Sequence, residues 1–193
     1  MSRVRIKNER RFNPHRSLLL PSAEHFLRTA KEKKDGWYYD CLAAILLSAL
    51  SIEAIGNSYG KVKIPDWNRF ERASPIAKLR LVATSCGVKP NFGKEPWQTV
   101  ERLIFFRNRI AHAKREHLKK EESCSVSDYG KKVYPKLEPD WVKMVNLDFA
   151  SKSCNAVEQI IRAFERTLKD SELAELAVDG QEFSAQILEA DVA

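Results

Sequence analysis

Glycine and proline are scarce, 7 and 8 in 193 residues, and no long run alternates β-branched with polar side chains. With Leu, Ala, Glu, Lys and Arg dominant, that scarcity favours an all-α chain over a strand-rich one. Cysteine is sparing too: Cys41, Cys86, Cys124 and Cys154 are scattered without CxxC spacing, and no group of His and Cys has the spacing of metal ligands. Reduced, mostly structural thiols, no metal and no cofactor are the expectation. The first sixteen residues, MSRVRIKNERRFNPHR, lack the apolar stretch of a secretory signal. The longest apolar run, CLAAILLSALSIEAIG, carries Glu53 and reads as too short to span a bilayer. A soluble, cytoplasmic protein without a membrane partner is expected on that basis. A Gly-rich phosphate loop is missing, and so is the helix-turn-helix spacing that would support a groove-docking DNA binder.

What is present is charge, unevenly placed. The net charge is +7, yet from Asp170 to Ala193 there are seven acids and no Lys or Arg, so the remainder holds 33 basic against 19 acidic residues, or +14. A body that basic attracts polyanions, of which nucleic acid is the commonest in a cytoplasm. The length suits one domain. We divide the chain into a basic N-terminal arm over residues 1–20, a helical domain over 21–169 and an acidic tail over 170–193.

The apolar pattern places five main helices in the domain. The first starts at Pro21 with Ser22 as N-cap and stops near Lys34. The second runs from Trp37 to about Asn57, with Gly56 and Gly60 closing it, and the third from about Ser74 to Cys86, ended by Gly87. The fourth runs from Trp97 to about Lys120. A long polar connector follows, then a fifth helix from about Phe149 to Leu168, with Phe149, Val157, Ile160, Ile161, Phe164 and Leu168 at helical spacing. The tail has room for one short acidic helix.

Turning each residue by about 100° around its helix axis shows polar residues where aliphatics belong. In the fourth helix Val100, Leu103, Ile104, Ile110, Ala111 and Leu118 share one arc. Arg107 falls inside it, Asn108 and His112 sit at its edge, and Arg109 points to solvent. In the second helix Glu53 lies within the arc of Leu42, Ile45, Leu46, Ala49, Leu50 and Ile52. An isolated ion there costs several kcal/mol, so each charge needs a partner. The plain solution is a buried Arg107–Glu53 ion pair that sets helix register. Asn108, one turn before His112, is placed to accept from one imidazole nitrogen and leave the other free for proton transfer. Arg107 and His112 point about 140° apart on an ideal helix, so they converge only if Arg107 reaches round or the helix is distorted or doubled by a two-fold contact.

The segment RNRIAH, Arg107 to His112, resembles the Arg-(4 to 6 residues)-His motif of HEPN domains, where the residue after the arginine is commonly polar. The apolar second helix with its internal acid, LLSALSIEAIGN, is similar to that family's context, and the likeness covers roughly Ser22 to Leu168. It implies a HEPN-like bundle of four to five helices that homodimerises, with the two motifs in one composite cleft. Catalytic members are metal-independent endoribonucleases, often toxins or effectors of toxin–antitoxin or antiviral defence systems. Others are non-catalytic modules that bind RNA, nucleotides or proteins.

On this reading the partners are RNA, a second copy of the chain, and an antitoxin or regulatory protein. His112 serves as acid or base and Arg107 holds the phosphorane charge. Asn108 orients either the imidazole or the phosphate, and Glu53 supports the arginine. Arg109, Lys114 and Arg115 are weaker candidates for tracking the RNA backbone. Trp37, Tyr38 and Tyr39 are read as core or interface, and His15, His25 and His117 are given no role. The acidic tail is a candidate internal brake over the basic cleft.

Overall fold

The computed structural model describes residues 3–10, 12–70, 72–129, 137–176 and 181–188. Residues 1–2 and 11 of the arm, residue 71 before the third helix, 130–136 of the connector, and 177–180 and 189–193 of the tail lie outside the described residues. Five helices of 11 residues or more make the body: α1 (Leu20–Glu32), α2 (Trp37–Lys63), α3 (Pro75–Ser85), α4 (Trp97–Ala111) and α6 (Leu147–Glu165). A single turn, α5 (Val126–Tyr129), interrupts the connector, and α7 (Asp170–Leu176) is the short acidic helix for which the tail has room.

The 27-residue α2 is the axis of the bundle, packed by α1, α3, α4 and α6. Its length and mean hydropathy of 1.6 would suffice to cross a membrane, contrary to the shorter span expected from sequence; half of that apolar window is buried among the other helices. Gly36, at φ 77°, makes the left-handed turn that folds α2 back on α1, and Lys33 bonds Asp40 at 2.8 Å across the turn. At the far end Ile64 is extended, as the residue before Pro65 must be, and the helix stops.

Gly56 and Gly60 therefore lie inside α2 and do not close it. A Cβ on Gly60 would overlap the Trp67 ring, and one on Gly56 would meet the Lys78 Cβ of α3 at 3.4 Å. Close approach, rather than a left-handed conformation, is the reason for both glycines. Gly87 does take the left-handed conformation, φ 68°, just past α3, and Ser74 caps that helix by accepting from the Ala77 N–H.

The N-terminal boundary also differs. A π-helical turn, His15–Leu19, runs straight into α1, so Leu19 stands at the N-cap and Ser22 lies within the helix. Asn146 caps α6 by accepting from the Phe149 N–H at 2.8 Å, and α6 buries Phe149, Val157, Ile160, Ile161 and Phe164. Those five side chains contribute on the order of 10 kcal/mol of gross burial, an upper figure because the unfolded chain is itself compact. Phe164 also touches the rings of Tyr59 and Trp97, and Phe106 those of Phe149 and Trp141, which ties α6 to α2 and α4.

The body is all-α as expected, and one short strand pair joins the ends of the chain. β1 (Arg3–Arg10) and β2 (Gln181–Leu188) pair antiparallel, Arg3 opposite Leu188 and Arg10 opposite Gln181. In RVRIKNER, Val4 and Ile6 alternate with Arg3, Arg5 and Lys7, a period of two that an unstructured arm would not need. The tail thus engages the basic arm through β2. Through α7 it engages the end of α2, where Lys63 bonds Glu172 at 2.9 Å.

Candidate functional site

α4 carries the site because its apolar face is nearly continuous. Val100, Leu103, Ile104 and Phe106 are buried, which fixes the helix against α2 and α6 and leaves Arg107 no choice but to point along α2. Its guanidinium Nη2 bonds the Glu53 carboxylate at 3.0 Å and its Nη1 bonds Asn108 Oδ1 at 3.0 Å. The two sequence-predicted charges are therefore one ion pair. It is half-buried rather than buried, with the side chains 28% and 29% exposed. Two of the five guanidinium N–H groups are spent, and three remain.

The histidine is placed differently from the helical wheel. α4 ends at Ala111, not near Lys120, and His112 is its C-cap at φ −117°, ψ 30°, with its backbone N–H on Asn108 O at 3.0 Å. Ala111 to His117 are exposed, so a further turn would bury no apolar face, and propensity alone holds a helix weakly. Beyond it, Trp141 Nε1 donates to Glu116 at 3.0 Å and pins the connector back towards the bundle. The ring of His112 is exposed, and among the described residues nothing bonds it. Asn108 Oδ1 accepts from Arg107, and among the described residues no hydrogen bond joins its amide to the imidazole. Leu118 leaves the helical arc and is only half-buried, while Leu50, expected inside, is 38% exposed.

Among the weaker candidates, Arg109 is exposed and lies over the exposed Phe105 ring at 5.8 Å, and Lys114 and Arg115 are exposed in non-helical chain. Tyr38 packs on the core, but Tyr39 is 73% exposed, so the three aromatics at the start of α2 are not uniformly core. His15, given no role, is fully buried, and burial beside the Arg16 charge lowers its pKa to about 4.

Sequence reasoning missed one residue beside this site. Lys78 of α3 is 95% buried, and its Nζ donates to Asn57 Oδ1 at 2.9 Å, one turn along α2 from Glu53. The same wheel on α3 would have found it, since Lys78 falls at the edge of the arc of Leu79, Val82, Ala83 and Cys86. Two cavities, of about 620 and 200 Å3, lie elsewhere: one between Asn13, Lys61 and α7, the other between α1 and α6. Among the described residues no three His, Cys, Asp or Glu side chains cluster as a metal site would require.

Comparison with known proteins returns no match to any family model, any curated protein or any solved structure.

Proposed function

We propose that the chain is a metal-independent endoribonuclease of the HEPN type, active as a homodimer in the cytoplasm, and a toxin or defence effector restrained by an antitoxin or regulatory partner. The observation that carries this reading is the last turn of α4: an arginine clamped by Glu53 and Asn108 with three donors left among the described residues, five residues before an exposed histidine. In RNA the 2′-hydroxyl attacks the adjacent phosphorus and the 5′-oxygen leaves. Arg107 stabilises the phosphorane charge with its remaining N–H groups, and its orientation is already set by Glu53. His112 takes or gives the proton. A two-fold contact would bring a second His112, so that one copy acts as base and the other as acid. The exposed Leu50, one turn before Glu53, supports a contact with a second copy beside the ion pair. The products are a 2′,3′-cyclic phosphate and a 5′-hydroxyl.

A non-catalytic HEPN module is the second reading. It is favoured by one observation: Arg107 is charge-matched by Glu53, while no described side chain orients the imidazole of His112. Incubation of mixed RNA with purified protein in EDTA separates the two, with Arg107→Ala and His112→Ala as folded controls. Cleavage lost in both variants supports the ribonuclease; RNA intact throughout at high protein concentration supports the binding module.

A further inference from the structure

Among the described residues Lys78 is a cation with no carboxylate on it. It is 95% buried, and among the described residues the one acceptor on its ammonium is the neutral amide of Asn57. A buried charge held only by an amide is costly unless something else in the same place wants positive charge. An ammonium can only donate, so the bond to Lys78 fixes which way the Asn57 amide faces: Oδ1 inward, Nδ2 away from Lys78. Asn57 itself is exposed. The same logic applies to Asn108, exposed as well, whose Oδ1 is held by Arg107. Each asparagine thus has its oxygen on a cation of the protein and, among the described residues, no partner on its two N–H donors.

These pieces share one place. Asn57 and Glu53 are four residues apart on α2, about 5–6 Å between Cβ atoms, and Glu53 holds Arg107. Lys78, Arg107 and Glu53 together carry one net positive charge. The donors left on these residues are three N–H groups of Arg107 and the amide N–H groups of Asn57 and Asn108. Donor groups with a net positive charge are the complement of a phosphodiester, which is acceptor-only and anionic.

We propose that Asn57 contacts a backbone phosphate of single-stranded RNA at the Arg107 site, and that Lys78 is the positioning residue that aims its amide. This rests on the reading of that site as an RNA site and adds two residues to it. Asn57→Asp is the discriminating variant. The new carboxylate keeps the bond to Lys78 and strengthens it, but replaces two donors by charge of the phosphate's own sign.

Binding is measured by fluorescence anisotropy with a labelled 2′-O-methyl oligoribonucleotide, which cannot be cut by 2′-hydroxyl attack, alongside thermal melts of each protein. We expect Asn57→Asp to melt at or above the wild-type temperature and to bind at least about tenfold more weakly. Lys78→Met should weaken binding while leaving the slope of log affinity against log salt unchanged, because its ammonium bonds Asn57 and no phosphate; should it fail to fold, Asn57→Asp alone decides. Wild-type affinity in Asn57→Asp, or no binding by the wild type, overturns the proposal. Its fate is separable from that of the ribonuclease: intact RNA in EDTA with weakened Asn57→Asp binding leaves the phosphate site standing without catalysis. Cleavage with unaltered Asn57→Asp binding does the reverse.

Discussion

Removing Glu53 should expose how strongly the arginine is held. The pair is a single 3.0 Å contact between side chains 28% and 29% exposed. At that distance, and at an effective dielectric of about 20, the direct attraction is about 5 kcal/mol. Partial desolvation of both ions takes back most of it, because removing a charge from water costs several kcal/mol. What remains is about 1–2 kcal/mol, above the exposed-pair range of up to about 1 kcal/mol and below that of a sealed pair. A double-mutant cycle of Glu53→Gln, Arg107→Met and the double variant, followed by urea unfolding at low salt, should therefore give a coupling energy of about 1–2 kcal/mol. For a chain of this size a loss of about 1–2 kcal/mol corresponds to about 2–8 °C in melting temperature. A coupling below about 0.3 kcal/mol would refute the argument, since it would mean that solvent screens the contact and that Glu53 does not set the guanidinium's orientation.

Acidification should weaken the fold through His15. Its folded pKa of about 4 lies below the ordinary 6.5, so between those values the unfolded chain binds a proton that the folded chain does not. Stability is then complete above pH 6.5 and falls by up to about 3 kcal/mol as the pH drops to 4. A His15→Gln variant should lose that dependence between pH 7 and 4.5, and an unchanged slope would count against it. Gly60→Ala should destabilise by about 1–3 kcal/mol in the same urea assay, because overlap with the Trp67 ring outweighs the roughly 1 kcal/mol gained in helix propensity; equal or greater stability would refute the close-approach argument.

The Arg107–Glu53 contact was legible before any coordinates because charge on an apolar arc is expensive, and two such charges on neighbouring helices solve each other's problem. The second and fourth helices were legible in kind but not in length. GNSYG reads as a stop from local chemistry, yet Trp67 occupies the space that Gly60 leaves, so the helix continues. Residues after His112 have good helix propensity, yet α4 ends where there is nothing to bury. Lys78 escaped notice because a lysine at the edge of an arc looks solvated until its partner is seen.

By itself the sequence determined the number of main helices, their apolar faces, the stop of α3 at Gly87 and the identity of the charges that must be satisfied. These follow from periodicity and solvation, which act within a few turns of chain. Only the tertiary structure decided the C-cap position of His112, the close packing at Gly60, the Lys78–Asn57 bond and the pairing of the arm with the tail, Arg3 opposite Leu188. Each depends on atoms brought together from distant positions, and no local pattern encodes which surface will arrive.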